Sequence, residues 1–130
     1  MTKLIHQMIR VFEPNASIIF YAKAFGMRES HRLDFPGFAL IYLREPESGF
    51  EIELTWNKDR VEPYAHGSAY GHIAFATTEL ESCRAALSAL GAEPGEIKTL
   101  SAPNGTARFF FVSDPDGYKI EVLERSGHYV

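Results

Sequence analysis

Two histidine–glutamate pairs recur in this chain at nearly the same separation. His6 precedes Glu53, and about half a chain later His72 precedes Glu121. Imidazole nitrogens and carboxylate oxygens form a borderline-hard donor set, which suits Ni²⁺, Co²⁺, Mn²⁺, Fe²⁺ or Zn²⁺ and argues against a structural thiolate zinc site. The repeat therefore predicts one divalent metal ion with four protein ligands and open positions for water or substrate oxygens.

Each of these residues, taken singly, also has a structural interpretation. A glutamate in the middle of a strand is usually solvated on an outer face, and a histidine at the start of a strand is usually a satisfied structural residue. Their recurrence at equivalent positions of a repeat favours the metal site.

Each pair lies in one of two similar halves, and the hydrophobic pattern gives both halves the order βαβββ. The predicted strands of the first half are 4–12, 27–33, 38–44 and 50–57. Those of the second half are 71–77, 96–100, 108–112 and 118–123. The predicted fold is therefore α+β, with two tandem modules forming a curved mixed sheet around a metal-binding cleft.

One helix is predicted in each half. The first is predicted to open at Pro14–Asn15, with Asn15 or Ser17 near its cap, and the segment Thr78–Glu81 has the pattern of a capping box for the second. The apolar face of the first helix is predicted to consist of Ile18, Ala22 and Phe25. The glycines expected to end the two helices are Gly26 and Gly91.

The predicted organisation is a single domain over residues 1–130. Module one covers about 4–57, a linker about 58–69 and module two about 70–124. The alternative is two ferredoxin-like pieces without a shared cleft, in which case the repeated histidine–glutamate pattern would be accidental.

Strand alternation places further polar residues beside the candidate ligands. Arg10 shares the face of His6 on the first strand, and Asn57 shares the face of Glu53 on the fourth. The residues that flank Glu53 and Glu121 are apolar and suit a core. A carboxylate at such a mid-strand position is costly unless it is solvated, paired or bound to metal.

Composition excludes several classes of protein. The chain is 45% hydrophobic and 23% charged, as expected for a globular domain. Its net charge of −4 argues against nucleic-acid binding. No apolar run approaches the roughly 20 residues that span a membrane, and the N-terminus has no signal-peptide layout, so a cytoplasmic setting is expected. The single cysteine, Cys83, is expected to be a small buried helix residue rather than a nucleophile.

Several stretches of the sequence carry a resemblance to a known family. They are Ile5–Val11, Phe20–Tyr21, Phe25–Met27, Ile52–Asn57, Gly67–Ala74 and Asp114–Glu121. The Asp-Pro-Asp-Gly turn before a glutamate strand is common, but its combination with Glu-Leu-Thr-aromatic-Asn and Ala-Tyr-Gly-His is much more specific. On these residues the chain resembles glyoxalase I (lactoylglutathione lyase), in its short bacterial form, of the vicinal oxygen chelate superfamily.

The resemblance implies a role for each candidate residue. The four residues that match the metal ligands are His6, Glu53, His72 and Glu121. Glu121 also matches the general base, with Glu53 as the opposite carboxylate. Arg10 and Asn57 match residues that hold the γ-glutamyl end of glutathione.

The resemblance also implies a reaction, a metal and an assembly. The hemithioacetal of methylglyoxal and glutathione would be isomerised to S-lactoylglutathione through an enediolate. The partners are then small molecules, a 2-oxoaldehyde plus glutathione, and the metal is Ni²⁺ or Co²⁺ in preference to Zn²⁺. The implied homodimer has sites at its interface, each with His6 and Glu53 from one chain and His72 and Glu121 from the other.

One departure from the family concerns the thiol. The family has a lysine in the loop before the penultimate strand, near the glycyl carboxylate of glutathione. The predicted loop 100–106 has no lysine, and Pro103 stands roughly at its position. Lys98 or Arg108 are the residues that could compensate. Otherwise the affinity for glutathione is weaker or the thiol is different.

Alternative functions lie inside and outside enzyme chemistry. Thiol transferases and extradiol dioxygenases of the same superfamily use a His-His-Glu site of three residues, which the fourth candidate ligand Glu53 argues against. A metal-free small-molecule binding or resistance module lacks the tetrad altogether, so the intact tetrad counts against that function.

Overall fold

The first half of the chain folds as a compact unit with one helix and one sheet. The computed structural model describes residues 1–130, and the chain divides into the units Met1–Ala65 and His66–Val130. The elements of the first unit are β1 (His6–Val11), α1 (Pro14–Phe25), β2 (Arg28–Asp34), β3 (Phe38–Arg44) and β4 (Glu51–Asn57). The sheet has the order β1-β4-β3-β2, in which β1 is parallel to β4 and the other pairs are antiparallel.

The second unit repeats this architecture. Its elements are β5 (Ile73–Thr77), α2 (Leu80–Ala89), β6 (Lys98–Ala102), β7 (Gly105–Ser113) and β8 (Lys119–Glu124). The sheet order is β5-β8-β7-β6, again with one parallel pair, β5 and β8. The α+β class and the two βαβββ modules are therefore confirmed. The boundary between the units falls inside the predicted linker. Neither helix has the length and apolarity needed to span a membrane.

Strand alternation buries one face of each sheet. In β4, Ile52 and Leu54 are buried, and in β8 the buried residues Ile120 and Val122 alternate in the same way. The side chains between them point to the opposite face. Glu53 and Glu121 are therefore held in place by apolar packing on either side of them in the sequence.

The start of α1 differs from the sequence prediction. The N-cap residue is Glu13, which forms no side-chain cap, and Pro14 occupies the first helical position. A proline at that position is favourable because its φ is already helical and its missing N–H would be unpaired anyway. The helix thus begins at Pro14, as predicted, but its N-cap residue is neither Asn15 nor Ser17. The end of the helix is as predicted, with Gly26 at φ 66°.

The buried face of α1 also differs from the prediction. The buried residues are Pro14, Ser17 and Tyr21. Of the predicted face Ile18, Ala22 and Phe25, Ala22 is exposed and the other two are half-buried. Both sets have helical spacing, so the period alone could not choose between them.

The predicted capping box of α2 is absent. Glu79 is the N-cap residue and makes no side-chain cap; its N–H donates to Thr77 Oγ1 at 3.1 Å. Glu81 instead accepts a hydrogen bond from the Arg108 guanidinium. A charge-assisted bond of this kind is stronger than a neutral cap, and it directs the carboxylate of Glu81 away from Thr78.

Leu54→Ala tests the packing that supports Glu53. Leu54 is fully buried, so its truncation leaves a cavity and should lower the free energy of unfolding by roughly 2–5 kcal/mol. The matched control is Leu4→Ala at a residue that is 81% exposed, where the change should stay within about 0.5 kcal/mol. Both can be measured by urea unfolding, and equal effects of the two substitutions would contradict the assigned core.

Candidate metal centre

His6 and Glu53 are in contact in the first unit. His6 is the first residue of β1, and the parallel pairing of β1 with β4 sets Met8 beside Glu53, so all three residues share one face of the sheet. The distance from His6 Nε2 to Glu53 Oε2 is 3.3 Å. Only 13% of the Glu53 side chain is exposed. This carboxylate is largely withdrawn from water and needs a partner there.

His72 and Glu121 form the corresponding contact in the second unit. His72 directly precedes β5, and β5 pairs with β8 so that Ala74 lies beside Glu121. The distance from His72 Nε2 to Glu121 Oε2 is 3.2 Å, and the Glu121 side chain is 15% exposed. The two units thus present the same donor atoms at the same spacing.

Tyr42 is a third member of the first cluster, which sequence reasoning missed. It lies directly opposite Glu53 in the pairing of β3 with β4. Its ring contacts the His6 ring edge-on, with centroids 5.5 Å apart. The nearby Glu53 carboxylate, which can accept a hydrogen bond from the Tyr42 hydroxyl, together with burial raises the pKa of Tyr42 to about 12. The hydroxyl is therefore protonated and available as a donor across the physiological pH range.

Phe111 occupies the equivalent position in the second cluster. It lies opposite Glu121 in the pairing of β7 with β8, and its ring meets the His72 ring edge-on with centroids 5.3 Å apart. The sequence does hold a signal for both aromatic residues. Tyr42 and Phe111 stand at nearly matched distances before the two repeated glutamates.

The donor chemistry of both pairs fits a divalent metal ion. Each pair combines one imidazole nitrogen with one carboxylate oxygen, which are ligand types shared by Ni²⁺, Co²⁺ and Zn²⁺. The structure places the four predicted ligands in two pairs, His6 with Glu53 and His72 with Glu121. It contains no group of three or more His, Cys, Asp and Glu side chains placed to hold a metal. One unit by itself therefore offers half of the predicted ligand set.

Arg10 and Asn57, each predicted to share a face with a candidate ligand, are brought into contact by the pairing of β1 with β4. Arg10 Nη1 donates to Asn57 Oδ1 at 3.0 Å, and the Tyr64 hydroxyl donates to the same oxygen at 3.0 Å. With its oxygen occupied twice, the Asn57 amide keeps its NH₂ group as a donor. Arg60 stacks its guanidinium 4.3 Å from the centre of the Tyr64 ring.

These residues line a cavity of about 480 Å³ in the first unit. Its lining residues are Arg10, Asn57, Asp59, Arg60, Val61, Glu62 and Tyr64. The cavity combines cationic and amide donors with two carboxylates. Tyr64 and Arg60 were missed because they belong to the predicted linker, which the sequence pattern treats only as a connection.

The structure distinguishes the two residues that could replace the missing lysine. The predicted loop 100–106 is wrong, because these residues form the ends of β6 and β7 and only Pro103 and Asn104 lie between the strands. Lys98 pairs with Phe109, which lies two residues from Phe111 and so shares the face of Glu121. Lys98 is exposed on that face.

Arg108 lies on the opposite face of β7 and is already engaged. Its Nη1 donates to Glu124 at 2.6 Å, and its Nη2 donates to Glu81 of α2. The two carboxylates hold the pKa of Arg108 above its usual range. Arg108 therefore connects α2 to the sheet and is directed away from Glu121.

Comparison with known proteins shows the family to which the chain belongs. The sequence model of the Glyoxalase/Bleomycin resistance protein/Dioxygenase superfamily matches residues 3–122. The chain belongs to this superfamily. The resemblance inferred from the sequence motifs is thereby confirmed.

Relatives within the superfamily are named for one activity. The chain is 38% identical to the lactoylglutathione lyase of Haemophilus influenzae, over 94% of this chain and 92% of that protein. It is 36% identical to the lactoylglutathione lyase of Escherichia coli O157:H7, again over 94% and 92%. Among solved structures, the trypanothione-dependent glyoxalase I of Leishmania major is 32% identical with a TM-score of 0.75, over 95% of this chain and 87% of that chain.

Proposed function

We propose that this chain is a metal-dependent lactoylglutathione lyase, which isomerises the hemithioacetal of methylglyoxal and glutathione to S-lactoylglutathione. The observation that carries the proposal is the repeated contact between a histidine and a largely shielded glutamate, at 3.3 Å in one module and 3.2 Å in the other. The named relatives, at 38% and 36% identity over nearly the whole chain, support the same activity.

The proposed metal ligands are His6, Glu53, His72 and Glu121. Ni²⁺ or Co²⁺ is favoured and Zn²⁺ is the alternative. A bound ion would supply Lewis acidity towards the vicinal oxygens of the substrate. Each module contributes one imidazole and one carboxylate, and the donor set is complete only when both pairs take part.

The proposed assembly is a homodimer with sites at its interface, each formed by His6 and Glu53 of one chain and His72 and Glu121 of the other. Exposed apolar side chains beside the two pairs support this assembly. Met8 lies next to Glu53 and is 41% exposed, and Phe111 lies opposite Glu121 and is 37% exposed. A partner surface would cover such residues.

Glu121 is proposed to move the proton. Its carboxylate takes the proton from C1 of the hemithioacetal, which leaves an enediolate, and the proton is returned at C2, so that the reaction is an isomerisation with no net change in atoms. The Glu121 side chain is only 15% exposed, which limits the access of bulk water to the proton in transit. Glu53 is proposed as the counterpart carboxylate, which faces the substrate from the side opposite to Glu121.

The cavity at Arg10 and Asn57 is proposed to hold the γ-glutamyl end of the thiol. This end carries both a carboxylate and an ammonium group. The guanidinium of Arg10 and the amide NH₂ of Asn57 suit the carboxylate, and Asp59 and Glu62 suit the ammonium. Lys98, on the face of Glu121, is the proposed partner of the glycyl carboxylate. A trypanothione-type thiol is the second candidate, because the segment between β6 and β7 has no lysine.

Metal removal and reconstitution test the activity. Protein stripped of metal should regain turnover of methylglyoxal and glutathione with Ni²⁺ or Co²⁺, because the donor set can bind these ions and the short bacterial form that the chain resembles prefers them. The ultraviolet absorbance of the thioester product follows the reaction. If none of Ni²⁺, Co²⁺ and Zn²⁺ restores thioester formation, the proposed function fails. His72→Ala should abolish metal binding in calorimetric titration, whereas the control His128→Ala, at an exposed residue near the C-terminus, should retain it.

Glu121→Gln tests the base. The amide cannot take the proton, so kcat should fall about 100-fold or more, on the scale of general-base catalysis. Glu121 is also a proposed ligand, so kcat must be compared at equal metal content, measured on the same samples. The control Glu96→Gln alters a side chain that is 88% exposed and should leave kcat unchanged. Near-normal turnover by Glu121→Gln would remove this residue from the base role.

Lys98→Ala tests the glycyl contact. Loss of an exposed charge partner should raise KM for the glutathione hemithioacetal roughly 2- to 5-fold with little change in kcat. With glutathione monoethyl ester, whose glycyl carboxylate is blocked, wild type and Lys98→Ala should have the same KM. The control Lys23→Ala, on α1, should leave KM unchanged for both thiols. An equal rise in KM for both thiols would show that Lys98 does not act on the glycyl carboxylate.

A further inference from the structure

The two histidine–glutamate clusters differ by one hydroxyl group. In each module the glutamate lies directly opposite an aromatic residue of the neighbouring antiparallel strand. The pairs are Tyr42 with Glu53 and Phe111 with Glu121. The aromatic residue is a phenol in the first module and a phenyl ring in the second.

The remaining geometry of the two clusters is closely matched. The ring centroids of His6 and Tyr42 lie 5.5 Å apart at an interplanar angle of 71°. Those of His72 and Phe111 lie 5.3 Å apart at 76°. The two glutamate side chains are 13% and 15% exposed. The environment of the two carboxylates therefore differs mainly in the donor that the opposite ring offers.

That donor acts on one glutamate alone. The Tyr42 hydroxyl can donate a hydrogen bond to the carboxylate of Glu53, which lies directly opposite it, whereas the phenyl ring of Phe111 has no such hydrogen to offer Glu121. A hydrogen bond to a carboxylate withdrawn from water is strong and directional, so it restricts the carboxylate to one orientation. The residue opposite Glu121 offers no such restraint.

We propose that Tyr42 is a positioning residue that decides which of the two repeated glutamates serves as the base. Its hydroxyl tethers Glu53 as a fixed ligand and leaves Glu121, opposite Phe111, free to reach the substrate proton. This inference rests on the proposed function and adds a reason for the unequal roles of two glutamates that the repeat makes equivalent.

Exchanging the hydroxyl between the modules tests the inference. Phe111→Tyr supplies the second glutamate with a tether and should lower kcat roughly 10-fold with little change in KM. In the background of Glu121→Gln, the additional change Tyr42→Phe releases Glu53, and turnover should rise roughly 10-fold above that of Glu121→Gln alone. A change of about 10-fold in turnover is typical when a residue that hydrogen-bonds to a metal ligand is altered.

Equilibrium Ni²⁺ affinity, measured against a competing chelator, gives a readout that does not depend on turnover. Tyr42→Phe should weaken binding roughly 10-fold or more, because Glu53 is no longer oriented, and Phe111→Tyr should strengthen it. The matched control is Tyr129→Phe, which removes a hydroxyl near the C-terminus and should change neither affinity nor turnover. Thermal unfolding checks that each variant is folded, and size-exclusion chromatography checks that Phe111→Tyr, at the proposed interface, assembles as the wild type does.

The outcomes separate this inference from the function on which it rests. If the wild-type chain with Ni²⁺ turns over the hemithioacetal, but Tyr42→Phe gives no rescue in the Glu121→Gln background and Phe111→Tyr leaves kcat unchanged, the role of Tyr42 is overturned. If the wild-type chain has no turnover with any metal, the proposed function fails and the assignment of a base fails with it. The Ni²⁺ affinities then decide alone whether Tyr42 orients Glu53, and equal affinities of wild type and Tyr42→Phe would exclude it.

Discussion

A carboxylate held mid-sheet and largely out of water is the constraint on which the rest of this structure depends. Desolvation of a charged group is unfavourable unless a partner compensates, and each module resolves the conflict in the same way. A parallel strand brings an imidazole to the carboxylate of Glu53 or Glu121. The apolar neighbours on both sides of each glutamate point into the core, so the charged side chain cannot withdraw without disturbing the packing.

The sequence predicts this arrangement well where a strict period determines it. The period of two residues in a strand puts Arg10 on the face of His6 and Asn57 on the face of Glu53, because a slip of one residue would expose the core. The pairing of β1 with β4 and of β5 with β8 then brings each histidine to its glutamate. The strand period cannot identify Tyr42 as a neighbour of Glu53. An aromatic residue in a strand is typical of a core, and only the register of β3 against β4 puts its hydroxyl at Glu53.

Helix details were predictable only where a single residue dominates. Gly26 ends α1 because glycine, which has no Cβ, adopts a positive φ without strain. The start of each helix depends instead on competition. In α1, Pro14 occupies the first helical position, so the helix begins there without a side-chain cap. In α2, Glu81 binds Arg108, which is distant in sequence, and does not form the predicted capping box. A local pattern holds no information about such a competitor.

The hydrogen bonds around Asn57 have a thermodynamic consequence for recognition. Arg10 and Tyr64 both donate to its Oδ1, and Arg60 stacks on Tyr64, so four polar side chains are ordered before any ligand arrives. The conformational entropy of these side chains is lost when the chain folds rather than when the cavity fills. Association of a ligand with this cavity then requires little reorganisation of its wall, so discrimination between ligands depends on the fit of a preorganised surface.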